Sequence, residues 1–174
     1  FIVAVLLQKS SVLFTVGEPD KAYDLMNSTV LFGRNDLYYR ALADINLAKL
    51  RALLGRSGAS IDAIRSEFQS VLGSAIENAR QATEFDETNY LNWVSLARVY
   101  ESVVSLGITG AYDNAKRAYE EAMKYNPKSP SLHLYLSQLE ILHGNRNAAR
   151  AHISEALVLK NNYTDAIFLL SQMH

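Results

Sequence analysis

Trp93, Leu96, Ala97 and Tyr100 follow one another at steps of three, one and three residues, a spacing that sets four side chains on one helical face. Ala115, Tyr119, Ala122 and Pro127 come next: small, aromatic, small, and a proline that ends the helix. Two helices cross closely only where a methyl group replaces a large side chain, and an aromatic then fills the space beside it. The segment therefore predicts a helical hairpin, with Trp93 and Tyr100 as its knobs.

The same template recurs along the chain. Downstream it fits His133, Leu136, Ser137 and Glu140, then Ala149, Ile153 and Ala156, with Asn161 in the proline position, and it restarts at Ile167, Leu170 and Ser171. Upstream it fits Tyr39, Leu42, Ala43 and Asn46 with Ala75, Ala79 and Ala82, and more loosely Leu6, Ser10 and Leu13 with Ala22, Met26 and Thr29. Equivalent positions Leu6, Tyr39, Trp93, His133 and Ile167 are 33, 54, 40 and 34 residues apart, so two copies carry insertions. Both insertions fall at the turn inside a hairpin, because Glu140 to Ala149 spans 9 positions, Tyr100 to Ala115 spans 15 and Asn46 to Ala75 spans 29.

In the longest copy the added residues keep helical periodicity, through Leu47, Leu50 and Leu54 on one arm and Ile61, Ile64, Phe68, Val71 and Leu72 on the other. Two lengthened helices are expected, each about 10 residues longer and projecting about 15 Å. Gly55 to Ser60 is the breaker cluster at their tip, and further turns are expected at Gly107 to Gly110, Gly17 to Asp20 and Gly144-Asn145. The reading is all-α: one domain over 1–174, with repeats at about 3–35, 36–88, 89–129 and 130–163 and a partial copy at 164–174.

Composition narrows function. Hydrophobic residues at 49% and charged residues at 20% belong to a folded chain and not to a disordered one. A formal net charge of -1 leaves no basic footprint for a phosphate backbone, which argues against nucleic acid as a partner. Without cysteine there is no disulfide, thiolate metal site or cysteine nucleophile. The longest apolar stretch, Phe1 to Leu7, is far short of the roughly 20 residues of a spanning helix. Phe1 reads as an internal boundary of a longer protein.

The Trp93 to Tyr163 region resembles the tetratricopeptide repeat family, and the remainder apart from the inserts fits the same pattern. That resemblance implies a right-handed superhelical stack of antiparallel hairpins whose groove, lined by first helices, receives a protein or peptide segment. Carried over by position, the groove residues are Leu37, Arg40, Asp44 and Leu47, then Leu91, Val94, Arg98 and Glu101, then Leu134, Gln138, Ile141 and Leu142, with Phe168 and Gln172 following. Val94 and Leu134 stand where a carboxylate-gripping member of the family needs a basic residue, so that chaperone-tail role is not expected.

The phrases Asn35 to Leu42, Asn89 to Trp93 and Gly110 to Ala115 also resemble the C-terminal repeat region of bacterial membrane proteins related to O-antigen ligases and polymerases. This second resemblance implies an accessory domain in the cell envelope, tethered to a membrane domain preceding residue 1. A further expectation is self-association through the C-terminal edge, where Ile167 and Leu170 face no following helix.

No reaction chemistry is expected, and neither a cofactor nor a metal. His133, His143, His152 and His174 show no i, i+4 ligand pairing, and His133 reads as a packing residue in the place of Trp93. The glycine clusters lack the phosphate-cradling arrangement, and Glu120-Glu121 and Glu84 to Glu87 read as solvated helix faces. Asn27 to Thr29 and Asn162 to Thr164 satisfy the short glycosylation pattern. Tyr100 and Tyr119 are expected in the core, whereas Tyr38, Tyr90, Tyr112 and Tyr135 are candidates for surface contacts, and Lys116 for the outer surface of a second helix.

Overall fold

The computed structural model describes residues 2–28, 35–55 and 61–173, and among them every regular element is helical. The chain forms two compact units, Phe1–Glu87 and Thr88–His174. The first holds α1 (Ile2–Thr15), α2 (Pro19–Ser28), α3 (Asp36–Leu54) and α4 (Ile61–Phe85). The second holds α5 (Tyr90–Glu101), a 3-10 turn (Val104–Leu106), α6 (Ala111–Tyr125), α7 (Pro130–Leu142), α8 (Arg146–Leu159) and α9 (Thr164–Ser171).

In the N-terminal unit, Gly17 takes a left-handed φ of 82° to reverse the chain after α1, and Pro19 opens α2 where no backbone donor is needed. The Asn35 side chain caps α3 by accepting from the Tyr38 N–H at 2.8 Å. Ala22, Met26, Tyr38, Tyr39, Leu42, Ile45 and Ala82 share one cluster, so small residues of α2 and α4 receive the aromatics of α3. The Ser10 hydroxyl donates to the Ala22 carbonyl at 3.1 Å, which satisfies the single polar side chain in the expected α1 template. α3 has 19 residues and α4 has 25, against 12 to 15 in α5, α6, α7 and α8. α4 thus exceeds α6 and α8 by 10 and 11 residues, as expected, whereas α3 exceeds α5 and α7 by only 7 and 6 and closes at Gly55, whose N–H bonds to the Arg51 and Ala52 carbonyls. The expected tip at 56–60, with Arg56, and the expected position Thr29 lie outside the described residues.

In the C-terminal unit, Val94, Ala97, Ala115, Ala118, Tyr119, Ala122, Leu132, Leu136 and Leu139 form one cluster, with Trp93, Leu96 and Tyr100 packed half-buried against it. Tyr119 is fully buried among alanines, as the need for close helix crossing dictates. Leu134, Ala149, Ile153, Ala156, Ala166 and Met173 form a second cluster that joins α7, α8 and α9. The Arg150 guanidinium donates to the Met173 carbonyl at 2.8 Å, which fastens α8 to the residues after α9. The shorter insertion does not lengthen a helix. It becomes the 3-10 turn and a reversal through Gly107 and Gly110, whose φ values of 69° and 77° suit glycine. The α7–α8 turn uses Gly144 at φ 84° and Asn145, whose side chain accepts from the Ala148 N–H.

Candidate partner-binding surface

The expected groove residues sort into three rows, counted from Tyr39, Trp93, His133 and Ile167 of successive first helices. One residue on stand Arg40, Val94, Leu134 and Phe168. Five residues on stand Asp44, Arg98, Gln138 and Gln172, and eight residues on stand Leu47, Glu101 and Ile141. The structure treats the rows differently.

In the first row, Val94 and Leu134 are buried within the two clusters of the C-terminal unit, and Leu134 lies against residues of α8 and α9. Arg40 is half-buried, with a guanidinium nitrogen 3.9 Å from the Asp36 carboxylate one turn back. Phe168 on α9 is 63% exposed. In the third row, Leu47 is buried, and Ile141 and Glu101 are half-buried. All four residues of the middle row are exposed. Helical geometry accounts for this: the three positions are spaced i, i+4 and i+7 and share one flank of the helix, but at about 100° per residue position five lies about 40–60° further round from the core-facing side than positions one and eight. Leu91 and Leu142 are exposed apolar residues on the same helices.

Glu101 is held internally. Its carboxylate accepts a 2.5 Å hydrogen bond from the buried Tyr119 hydroxyl of α6. Burial pushes the Glu101 carboxyl above its ordinary range, and the Tyr119 hydrogen bond and the Arg98 charge only partly offset this. Burial and the Glu101 charge together push the Tyr119 hydroxyl far up, so it stays protonated and donates.

The candidate surface tyrosines are not free platforms. Tyr38 is buried, edge-on to Tyr39 with ring centroids 5.2 Å apart, and Tyr90, Tyr112 and Tyr135 pack half-buried on the α5–α7 core. Of the α9 pair expected at an open edge, Ile167 is 49% exposed while Leu170 is half-buried against the second cluster.

A polar cluster between α6 and α7 was not visible from spacing. Glu140 occupies the place that Tyr100 holds in the preceding repeat, and it is fully buried. One carboxylate oxygen, Oε1, accepts from both the Lys116 ammonium and the Tyr112 hydroxyl, each at 2.9 Å, and Oε2 has no hydrogen-bond partner. Burial pushes the Glu140 carboxyl up, but those two hydrogen bonds outweigh it and hold the group below its ordinary range. The same contacts push Lys116 up to about 12. Lys116 is thus not a neutral outer-helix residue. The Tyr112 ring also stacks on His143, with centroids 3.6 Å apart, beside a cavity of about 300 Å³ walled by Val104, Ile108 and Asp113.

His133 and His152 also come together, their Nδ1 atoms 3.5 Å apart across α7 and α8. Among the described residues no three histidine or carboxylate side chains are grouped to hold a metal ion, and no helix is long and apolar enough to cross a membrane.

Residues 109–157 match the family model for the tetratricopeptide repeat, a span that runs from the α6 approach through most of α8. Among solved structures, a thermophilic TPR protein of Thermus thermophilus is similar with a TM-score of 0.68, at 18% identity over 91% of this chain and 75% of that one. The MamA protein is similar with a TM-score of 0.63, at 18% identity over 93% of this chain and 75% of that one. At such identity the likeness establishes the fold. No curated protein matches the chain in sequence.

Proposed function

We propose that this chain, a tetratricopeptide repeat protein by its fold and by the repeat at 109–157, is a non-catalytic interaction module that holds a protein segment against its first helices. The observation that carries the reading is the middle row: Arg98, Gln138 and Gln172 recur at one register position of α5, α7 and α9 and are all exposed. A carboxamide both donates and accepts, so Gln138 and Gln172 can pair with the N–H and C=O groups of an extended backbone. Arg98 adds a fork for a carboxylate, and Phe168 an apolar contact. Such a set fits an extended peptide with an acidic and an apolar side chain. In the N-terminal unit Asp44 and Arg40 form the corresponding set. Leu47, Val94 and Leu134 shape the helices beneath without touching a ligand, since they are buried.

The test begins with peptides selected by display against the chain. Their affinity is then compared for Arg98→Glu and Gln138→Ala against Arg117→Glu, an exposed change on α6. The reading expects a loss of at least about tenfold, or about 1.4 kcal/mol, from the first two and little from the third. Equal losses from all three, or none from Arg98→Glu, would move the binding surface elsewhere. A second contact is proposed through the apolar edge of α8 and α9, where Val158 and Ile167 are exposed, and its occupant would be another copy of the chain.

A further inference from the structure

We propose that His133 and His152 form a two-point site for a borderline divalent transition-metal ion of the Zn2+ class, bridging α7 and α8. The inference stands apart from the partner-binding reading.

Geometry carries it. The two Nδ1 atoms face one another at 3.5 Å, and the rings are tilted by 43° with centroids 5.7 Å apart, so they meet by their nitrogens and not by stacked faces. A tetrahedral ion bound to two imidazole nitrogens at about 2.0–2.1 Å holds those nitrogens about 3.3–3.4 Å apart. A shift of about 0.2 Å admits the ion, within the tolerance of a metal site. A direct N–H···N hydrogen bond at the observed length is weak, so little is lost by replacing it. Neutral imidazole is a ligand of choice for zinc, nickel and copper, and not for calcium or magnesium.

The surroundings favour a cation. Burial holds both imidazoles below their ordinary range, which leaves them neutral near pH 7 with lone pairs to offer. The charged groups that act on the pair are Glu155 of α8, Glu140 of α7, and Lys116 and Glu120 of α6. Lys116 is neutralised by Glu140, so Glu120 and Glu155 leave the balance negative. Glu155 lies three residues beyond His152 on the same helix face, exposed, and its charge already acts on His133. Water would complete the shell. Since no third ligand among the described residues stands in position, affinity should be that of a two-histidine site, and binding should stabilise the C-terminal unit by mass action.

The experiment uses the chain without an affinity tag, stripped with chelator, titrated with Zn2+ by calorimetry and followed by thermal unfolding. One saturable site is expected, with a Kd on the order of 10 μM. His133→Gln and His152→Gln should each weaken it at least about tenfold and abolish the Zn2+-dependent rise in unfolding temperature, while His143→Gln retains both. Imidazole NMR resonances of the unsubstituted chain give a readout that survives a poorly folded variant: Zn2+ should shift those of His133 and His152. The proposal is overturned by no saturation up to about 1 mM Zn2+. It is equally overturned if both variants bind as the unsubstituted chain does, or if only the His143 resonances move.

Discussion

Lys116→Met should destabilise the C-terminal unit far more than its partly exposed position suggests, because it strands the carboxylate of Glu140. Glu140 is fully buried and receives hydrogen bonds at Oε1 alone, from Lys116 and Tyr112 at 2.9 Å each. Removing one partner of a buried ion pair typically costs about 3–5 kcal/mol. The Lys116 side chain is 37% exposed, so solvent screens part of the pair and the expected cost falls to about 2–3 kcal/mol. Glu140→Leu should cost far less, since it removes the buried charge and lets Lys116 turn to water. Lys116→Met combined with Glu140→Leu should resemble Glu140→Leu alone, giving a coupling of at least about 1.5 kcal/mol in the cycle. Urea unfolding followed by fluorescence reports the relevant unit, because the chain's single tryptophan, Trp93, lies in it. The sign with pH follows from the depressed Glu140 carboxyl: the pair's contribution is present above the ordinary carboxylate range and is lost as pH falls through the lower folded value. The Lys116→Met penalty should therefore shrink in acid. Additive effects, or a Lys116→Met cost under about 0.5 kcal/mol, would show that Lys116 does not compensate the buried Glu140 charge.

Trp93→Ala should cost about 2–3 kcal/mol in the same assay, below the value for a fully buried tryptophan because the side chain is only half-buried; circular dichroism must replace fluorescence for this variant. Glu101→Gln keeps an acceptor for the Tyr119 hydroxyl while removing a carboxylate that burial disfavours, so it should be neutral or stabilising at pH 7. A raised folded carboxyl favours the fold at low pH and loses that contribution as pH rises through the folded value, so the variant's advantage should disappear in acid urea titrations. If the α8–α9 edge joins two copies, light scattering should show a concentration-dependent rise in mass that Ile167→Glu abolishes, and a strict monomer at high concentration would exclude that contact.

The hairpins were legible because their signals are local and periodic. Ala115, Tyr119 and Ala122, or Ala149, Ile153 and Ala156, declare a buried stripe within one helix, and Gly17, Gly107 and Gly144 mark reversals that need a left-handed backbone. The lengthened α3 and α4 could be read for the same reason. The shorter insertion could not: Gly107 and Gly110 announce a turn, but whether the residues before it continue α5 or tighten into a 3-10 turn depends on packing. The rows were mixed in the sequence reading because position alone does not say that packing covers Val94 and Leu134 while leaving Arg98 and Gln138 exposed. The sequence places Glu140 in the template but not its partners, since Lys116 and Tyr112 are 24 and 28 residues away on another hairpin. His133 and His152, 19 apart, lack any helical spacing and meet only because α7 and α8 are antiparallel.

A partner segment is proposed to lie along the exposed row of the first helices. NMR chemical-shift mapping with a display-selected peptide tests this without any substitution. Perturbations are expected to concentrate at the side-chain amides of Gln138 and Gln172 and at the backbone of Arg98 and Phe168, with the outward residues of α6 and α8, such as Arg117 and Ser154, unmoved. Shifts centred on Arg117 and Ser154, with Gln138 and Gln172 unchanged, would contradict it.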